Sequence, residues 1–432
     1  MRSIFWHRRD LRIDDNAGLF HALKNSKEVQ PIFIFDSTIL NKLHNNDQRV
    51  IFIHKAINKL KKEYQKYNAD LLVFHGNPIE LIPQIVSDFD ANKIFINRDY
   101  EPSAIARDKK IYNLLKLKSI DFIGSKDHVI FEKDEVIKQD GKPYTIFTPY
   151  SRKWKEKLNE FYLKQYPVER YINNLVIHKK STNLISLKEM GFSDEIHHFF
   201  PSDIPNLEFI ESYSLNRDFP ALNQTTRLSV HLRFGTISIR KLAILAKELN
   251  ETYLNELIWR DFYQMIIYYF PQSVNESFKK QYDAIDWDNN ESLFKLWCEG
   301  KTGYPIVDAG MRELNATGFM HNRVRMIVAS FLTKHLFIDW RWGEAYFAEK
   351  LLDYEQASNV GGWQWAASSG CDAVPYFRIF NPTSQQEKFD KEFLYVRKWV
   401  KEYGTPLYPK PIVDHKIARE NTLNRFKTAL SN

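Results

Sequence analysis

The segment ELIWRDFY places three chemically different side chains on one face of a predicted helix. Glu256, Trp259 and Arg260 are spaced i, i+3 and i+4, and this spacing aligns side chains along an α-helix. A carboxylate, a flat indole and a guanidinium side by side are unusual in a protein core. Taken alone, the segment is still more typical of a surface ion pair beside a buried tryptophan.

A second helical segment, MHNRVRM, repeats this spacing. It aligns Asn322, Arg325 and Met326, whereas Arg323 is predicted to point elsewhere. On these residues alone, a basic helix that uses methionine to fill a gap in the core is the more ordinary interpretation.

The segment TTRLSVHLRFG, residues 225–235, places hydroxyl side chains in front of a predicted helix. The free N–H groups and the macrodipole at a helix start favour an anion such as phosphate. Thr225 or Thr226 could equally be a simple N-cap residue. The segment therefore leaves a phosphate site and a helix cap both open.

The segment LLDYEQASNVGGWQW combines polar groups, glycines and aromatic rings. It contains Asp353, Glu355 and Asn359, then two adjacent glycines, then Trp363 and Trp365. Acids, an amide and accessible backbone suit the polar edge of a large flat heterocycle, and glycines let such a ring approach the main chain. A glycine turn followed by core aromatics fits less well, because it leaves three polar side chains without a purpose.

Length and composition limit the classes of protein that need to be considered. A chain of 432 residues is too long for one ordinary core, and its two cysteines predict no disulfide framework and a reducing compartment. The N-terminal residues lack a signal-peptide pattern and no apolar run reaches membrane-spanning length, so we expect a cytoplasmic protein. Lys and Arg outnumber Asp and Glu by 61 to 54, which permits a polyanionic partner.

Catalytic motifs of several common hydrolase classes are missing from the sequence. No CxxC or HExxH spacing occurs, and neither does a GxSxG or Walker-type loop. Eight of the ten tryptophans lie between Trp259 and Trp399. We therefore expect no metal site and look for chemistry in the second half of the chain.

Hydrophobic periodicity changes along the chain and predicts its domains. Short apolar runs that alternate with helical patterns lie at residues 2–6, 31–35, 70–74 and 93–97. This alternation predicts a doubly wound, Rossmann-like parallel sheet over residues 1–128. Residues 129–205 are polar and loop-like, apart from a short basic helix in FTPYSRKWKEKL, and are predicted to be a connector. Residues 206–432 have a helical period and predict an all-α domain.

The order of the motifs resembles the photolyase and cryptochrome family. The resemblance is carried by FWHRRDLRIDDN, ELIWRDFY, GKTGYPIVDAGMREL, MHNRVRM, IDWRWGE, GGWQWAAS and PYFRIFNP. Details resemble cyclobutane pyrimidine dimer photolyases of the bacterial class I type, which have an acid and a methionine against the dimer where Glu256 and Met326 stand. Six-four photolyases and animal cryptochromes tend to carry His in the methionine region, and signalling cryptochromes typically have a long tail after the position of Trp399.

The resemblance implies a bent FAD in the helical domain. Its phosphate and ribose part would be held by Tyr213, Thr226, Arg227, Leu228 and Ser229. Arg260 would also approach the phosphates, and Asn359 would face the flavin N5. Asp353 would pair with Arg325 beside the isoalloxazine. Glu355 stands where relatives often carry Asp, so its contact stays open.

The resemblance gives the two tryptophans of WQW different roles. Trp363 would begin an electron chain that runs through Trp340 to Trp287 near the surface and photoreduces FAD. Trp365 would line the substrate cavity together with Trp259, because two flat rings suit a fused pyrimidine pair.

The reaction that the resemblance implies is light-driven repair of UV-damaged DNA. Excited FADH⁻ would transfer an electron to a flipped-out dimer, the cyclobutane ring would open, and the electron would return. Glu256 would hydrogen-bond the dimer and stabilise its radical anion. Further contacts to the dimer or to DNA phosphates would come from Trp259, Asn322, Arg323, Met326, Trp365, Arg217 and Arg378.

A second, light-harvesting chromophore is expected in the N-terminal domain. His44, Asn97 and Glu101 resemble a methenyltetrahydrofolate site of some bacterial members. The lysine that those members contribute is not evident in PQSVNESFKKQYDAIDW. Methenyltetrahydrofolate is still the favoured chromophore, and a deazaflavin or a second flavin stays open beside it.

Three functions remain in competition at the level of sequence. A monomeric repair enzyme for cyclobutane dimers is favoured by Glu256, Trp259 and Met326 together. A six-four photolyase or a blue-light receptor of the same fold is the main alternative. A nucleotide-binding enzyme that uses only the α/β domain fits poorly, because it leaves the helical motifs without a role.

Overall fold

The computed structural model describes residues 2–431, and the chain divides into two compact units. The first unit contains the residues up to Glu135 together with Trp154–Pro205 and Arg227–Glu248. The second unit contains Val136–Lys153, Asn206–Thr226 and the residues from Leu249 onward. The units are interleaved along the chain, so the domain boundaries drawn at residues 128 and 205 stay a prediction.

A five-stranded parallel sheet forms the centre of the first unit, in the order β3-β2-β1-β4-β5. Its strands are β1 Arg2–His7, β2 Glu28–Asp36, β3 Leu72–Gly76, β4 Lys93–Asn97 and β5 Asp121–Ser125. The first four correspond to the apolar runs of the sequence, and the predicted fold class is confirmed. The fifth strand was missed because DFIGS is short and ends in Gly and Ser.

Helices make up most of the remaining regular structure. In chain order they are α1 Ala17–Asn25, α2 Ser37–Leu40, α3 Gln48–Gln65, α4 Pro78–Asp88, α5 Pro102–Lys116, α6 Phe147–Lys157, α7 Glu160–Leu163, α8 Leu207–Glu211, α9 Tyr213–Asn216, α10 Ser229–Phe234, α11 Ile239–Leu249, α12 Glu251–Tyr269, α13 Glu291–Cys298, α14 Pro305–Thr317, α15 Asn322–Lys334, α16 Trp340–Lys350, α17 Gln356–Ala367, α18 Pro382–Phe389, α19 Leu394–Trp399 and α20 His415–Ser431. Short 3₁₀ helices cover Lys133–Glu135, Val168–Asn174, Pro220–Leu222, Pro271–Val274 and Lys280–Ala284. Between residues 2 and 431, no helix is long and apolar enough to cross a membrane.

Successive residues of the strands pack into two separate hydrophobic cores, one on each face of the sheet. Phe5 of β1 packs into one core, whereas its neighbours Ile4 and Trp6 pack into the other. Both cores are apolar because a parallel sheet covered by helices on both faces buries successive side chains on opposite sides. The doubly wound arrangement therefore follows from near-continuous apolar strands.

Loops of the first unit are held by a buried network of charges. The Arg240 guanidinium donates to Asp15 at 2.9 Å and to Asp127 at 2.8 Å, and Arg12 donates to Asp127 at 2.7 Å. All four side chains are almost fully buried. Burial acts to raise the pKa of Asp127, but Arg12 and Arg240 outweigh it and hold that pKa below its usual range.

The second unit has a helical core rich in tryptophan. Trp297, Trp340 and Trp363 are buried in one apolar cluster formed mainly by α14, α15, α16 and α17. The predicted short basic helix in FTPYSRKWKEKL is present as α6. α12 begins at a defined point, because the Asn250 side chain accepts a hydrogen bond from the Tyr253 N–H.

We predict that Asp127→Asn lowers the free energy of unfolding of the first unit by about 3–5 kcal/mol, because it removes the buried carboxylate charge that Arg12 contacts, whereas Arg240 keeps Asp15. Urea unfolding followed by far-UV circular dichroism measures the change. The matched control is Glu28→Gln, which breaks the exposed Arg2–Glu28 pair and is expected to have a far smaller effect. Equal shifts in the two variants would contradict the structural role of the buried network.

Candidate functional site

The α12 face predicted from ELIWRDFY carries a constrained carboxyl group. Arg217 donates a hydrogen bond to the Glu256 carboxylate at 2.5 Å, and 30% of the Glu256 side-chain surface is exposed to solvent. Burial raises the pKa of Glu256, and the charge of Arg217 acts in the opposite direction. The structure thus gives Glu256 a fixed orientation and a greater tendency to hold a proton than a free glutamate has.

Arg260, one turn further along α12, is joined to the start of α17. Its guanidinium donates to Glu355 at 3.0 Å, and both side chains are largely buried. Ser358 donates to the other Glu355 oxygen at 2.8 Å. The contact of Glu355 that the sequence left open is therefore Arg260, while the role of Arg260 at a phosphate stays a prediction.

Two more polar contacts surround α17. Arg325 and Asp353, which were expected to pair, approach to 3.0 Å. The Asn359 amide donates to the Glu344 carboxylate at 2.9 Å, and burial raises the pKa of Glu344 while the bond from Asn359 acts against it. Glu344 was missed by sequence reasoning, although its place in IDWRWGE, four residues after Trp340, was a usable signal.

Two of the residues expected at the FAD phosphates and ribose, Tyr213 and Thr226, both contact Tyr253 of α12. The rings of Tyr213 and Tyr253 lie edge to face at 5.0 Å, and the Thr226 and Tyr253 hydroxyls are 2.9 Å apart. Burial raises the pKa of Tyr253 to about 12. Tyr253 was not predicted, because nothing in the sequence brings residues 213 and 226 to α12.

The helix start predicted at TTRLSVHLRFG differs from the structure. α10 begins only at Ser229, extends over six residues and has Leu228 at its N-cap position without a side-chain bond, so neither Thr225 nor Thr226 caps it. A helix this short gives little support to the phosphate argument. Arg227, Leu228 and Ser229 lie in the first unit, Leu228 is buried, and their contact with FAD stays a prediction.

The partly exposed ring of Trp259 is stacked against another aromatic ring on one face. Phe147 stacks on it with ring centroids 3.7 Å apart and planes 3° apart, and Tyr263 lies at 5.4 Å. Trp365, the predicted partner of Trp259 in the substrate cavity, lies 6.5 Å from Phe380 instead of in ring contact with Trp259. Phe147 was missed because it lies more than a hundred residues before α12.

The three tryptophans of the predicted electron chain differ in burial. Trp363 and Trp340 are buried, and Trp287 is partly exposed with its ring 5.0 Å from Phe337. Within residues 2–431, the ring contacts of Trp363 are with Phe347 at 4.9 Å and Trp297 at 6.0 Å. The role of the three indoles in electron transfer stays a prediction.

Arg323 was predicted to point away from the helix face that carries Asn322, Arg325 and Met326, but in the structure it contacts Met326. An Arg323 N–H lies 3.8 Å from the Met326 sulfur, and another bonds Asp218 at 2.6 Å. This part of the prediction is wrong because the two residues are three positions apart, which is also a same-face spacing. Asn322 and Arg378, two other expected DNA contacts, are exposed.

The residues expected at the antenna chromophore have different surroundings in the first unit. Asn97 is buried, and its amide hydrogens are used by Asp10 at 2.5 Å and Asn16 at 2.8 Å. Glu101 accepts bonds from two arginine side chains, and His44 is exposed. The structure thus assigns Asn97 to the framework of the unit, and a chromophore contact of all three residues stays a prediction.

Two glycines allow α17 to pack closely against the neighbouring helices α12 and α16. A methyl group on Gly361 would lie 2.3 Å from the Tyr263 ring, and one on Gly343 would lie 2.1 Å from the Trp363 ring. A methyl group on Gly362 would meet no atom within 4 Å, and this residue shares a helix face with Asn359. Accessible backbone beside an amide and two ion pairs fits the polar edge of a flavin.

Comparison with known proteins identifies the family. The model of the FAD binding domain of DNA photolyase matches residues 253–405, and the model of DNA photolyase matches residues 3–169. The chain belongs to the photolyase and cryptochrome family. It is an enzyme of the photo-lyase class, whose general function is light-driven DNA repair.

Relatives match the chain from end to end. A deoxyribodipyrimidine photo-lyase of Halobacterium salinarum is 35% identical over 99% of both chains, and one of Escherichia coli is 36% identical over 99% of this chain and 98% of its own. A class III photolyase structure from Agrobacterium tumefaciens superposes with a TM-score of 0.87 at 31% identity, covering 100% of this chain and 98% of that one. An archaeal photolyase from Sulfolobus tokodaii, solved with two FAD molecules, has a TM-score of 0.85 at 36% identity, covering 99% and 100%.

The two adjacent glycines of α17 provide a paired prediction. Gly361→Ala should lower the free energy of unfolding by about 1–3 kcal/mol, because the Tyr263 ring must move. Gly362→Ala should leave the fold intact or stabilise it by about 1 kcal/mol through helix propensity, yet weaken FAD binding. Thermal unfolding and titration of flavin-free protein with FAD measure the two effects. Unchanged FAD affinity in Gly362→Ala would contradict a flavin at this face of α17.

Proposed function

We propose that this chain splits cyclobutane pyrimidine dimers in UV-damaged DNA, with light and reduced FAD. The observation that carries the proposal is a continuous series of contacts between the two residues expected at the dimer. Glu256 bonds Arg217, the next residue Asp218 bonds Arg323, and Arg323 lies against Met326. This series joins α12 to α15, with the Glu256 carboxyl at one end and the Met326 thioether at the other.

The residues of the second unit fit FAD by their chemistry. Asn359, Gly362 and the Arg325–Asp353 pair would hold the isoalloxazine edge, and Arg260 would approach the phosphates. Bound FAD supplies the light-excited electron that opens the cyclobutane ring. The protein binds and orients both partners and excludes water from them.

Glu256 is suited to hold a dimer carbonyl oxygen. Burial raises the pKa of Glu256, so its carboxyl takes up a proton more readily than that of a free glutamate. When protonated, it would donate a hydrogen bond to an oxygen that gains negative charge. Arg217 fixes the orientation of the carboxyl before the substrate arrives. Trp259 is stacked on Phe147 and partly exposed, so its exposed ring surface would stack on a base, and such stacking contributes about 1–3 kcal/mol per base.

DNA would reach this region with the damaged bases turned out of the helix. Photolyases are among the enzymes that act on bases taken out of the stack, and a damaged pair costs less to extrude. The exposed Arg378 would supply positive charge for phosphates. Arg217 and Arg323 are paired with Glu256 and Asp218, and would contact phosphates only by exchanging these partners. Binding should therefore weaken as salt concentration rises.

We also propose an antenna chromophore in the first unit. The Sulfolobus tokodaii relative, whose structure contains two FAD molecules, supports a second flavin. The use of both Asn97 amide hydrogens inside the unit argues against a folate site that depends on this residue. Methenyltetrahydrofolate, a deazaflavin and a second flavin are distinguished by extracting the chromophore and recording its absorption and mass.

The repair proposal predicts a light-dependent reaction on a defined lesion. Reduced protein under blue light should restore an oligonucleotide with one thymine dimer, whereas the same mixture in darkness should bind the oligonucleotide without repair. Glu256→Gln, whose amide N–H can donate a hydrogen bond in place of the carboxyl, should retain more repair per absorbed photon than Glu256→Ala. Recovery of pyrimidine absorbance measures the yield, and repair of a six-four lesion alone would overturn the dimer assignment.

If Trp363 begins the electron chain, a substitution at this residue should abolish photoreduction of FAD without abolishing DNA repair. Trp363→Phe should prevent photoreduction of oxidised FAD, because phenylalanine is far harder to oxidise than tryptophan, and should leave repair by chemically reduced protein largely unchanged. Flavin absorbance during illumination and the oligonucleotide assay measure the two activities. If Trp363→Phe binds FAD and loses both activities together, the proposed separation is wrong.

A further inference from the structure

The plane of the Trp259 indole is set by a residue outside its own helix. Phe262 and Tyr263, three and four positions further along α12, meet the Trp259 ring at angles of 81° and 32°. Phe147, at the start of α6, stacks on the ring with centroids 3.7 Å apart and planes 3° apart. The contact with Phe147 is parallel, and the two contacts along α12 are tilted. Phe147 is therefore the neighbour that fixes how the indole is oriented.

The position of Phe147 is set in turn by a carboxylate from a distant segment. The Phe147 N–H donates to the Asp372 carboxylate at 3.0 Å, across 225 positions of sequence. Phe147 is the first residue of α6, where backbone N–H groups have no partner inside the helix, and the first turn of α6 carries no acidic residue. Asp372 therefore supplies the acceptor and the negative charge that a helix start favours. Phe147, Trp259 and Asp372 all lie in the second unit.

The segment that carries Asp372 is held at both ends by one buried lysine. The Lys334 ammonium donates to the Ser368 hydroxyl at 2.7 Å and to the Arg378 carbonyl oxygen at 3.4 Å. Asp372 itself has a φ of 47°, in the left-handed region that aspartate, asparagine and glycine adopt more readily than other residues. The Asp372 carboxylate thus has a defined place, in the same segment as the Arg378 proposed to contact DNA.

We propose that Phe147 is a positioning residue for repair: it holds the Trp259 indole in the plane on which a damaged pyrimidine pair stacks, and Asp372 holds Phe147. The inference rests on the proposed role of Trp259 at the substrate. Stacking requires two flat surfaces to be aligned, and a partly exposed indole that turns about its side-chain bonds must be ordered when the substrate binds. Phe147 removes this cost in advance, and it acts through Trp259 and not by contact with the dimer.

This role predicts a loss of selectivity for damage and not of chemistry. Phe147→Leu keeps an apolar side chain and removes the flat ring. In darkness, its affinity for an oligonucleotide with one thymine dimer should fall about tenfold, because base stacking weakens. Its affinity for the same oligonucleotide without the dimer should change less than about twofold, because phosphate contacts dominate there. Repair per absorbed photon at saturating substrate should change little, because FAD and Glu256 are untouched.

A double-mutant cycle in full-length, FAD-loaded protein tests whether Phe147 acts through Trp259. The Trp259→Leu background has no indole to orient, so adding Phe147→Leu should cause no further loss of affinity for the damaged oligonucleotide. Tyr403→Leu is the matched control and should keep full affinity, because Tyr403 is a partly buried ring of the same unit, stacked on Phe393 with planes 16° apart. An equal loss from Phe147→Leu with and without Trp259 would overturn the positioning role.

Two substitutions at Asp372 test the hydrogen bond separately from the ring. Asparagine and glycine both tolerate the left-handed backbone at this position, but only asparagine offers an oxygen to the Phe147 N–H. Asp372→Asn should therefore keep the preference for the damaged oligonucleotide, and Asp372→Gly should lower it as Phe147→Leu does. Equal preferences in the two variants would contradict the role of Asp372.

Failure of the positioning role and failure of the proposed function give different results. Bound FAD per chain and the unfolding temperature verify that each variant is folded. If the unchanged protein neither prefers nor repairs the damaged oligonucleotide, the proposed function is wrong. If the unchanged protein repairs it and Phe147→Leu binds it equally well, only the positioning role is wrong.

Discussion

Close packing of α17 against α12 and α16 is the constraint on which the candidate site depends. Gly361 lies against the Tyr263 ring of α12, and Gly343 of α16 lies against the Trp363 ring of α17. At each contact a flat aromatic ring packs directly on the backbone of a glycine, so there is no room for a side chain where the two helices approach. Because protein interiors are close-packed, these two contacts fix the spacing of α17 from α12 and α16.

The charges of the second unit are arranged in pairs that join different helices. The Arg260–Glu355 and Arg325–Asp353 pairs both end on residues at or just before α17. Such pairs are weak evidence of stability, since the cost of removing two ions from water offsets much of their attraction. Their effect is on geometry: each guanidinium is held in one direction, and the groups around α17 keep their positions when a ligand with negative and polar atoms binds.

Sequence reasoning succeeded where one helix or one strand carries the information. The spacing of Glu256 and Arg260 gave a shared face, and the apolar runs gave four strands of the sheet. It failed where the partner is distant in sequence, as with Phe147 on Trp259. It also failed at α10, because hydroxyl residues near a helix do not show where the helix begins, and at Arg323, because its i, i+3 spacing from Met326 was not taken into account.

The tryptophans of the second unit serve as core residues and as candidate electron carriers at the same time. Replacing a buried indole with a smaller ring removes volume from a close-packed cluster, and the surrounding side chains relax only partly. A lost function in such a variant therefore has a structural and a redox explanation.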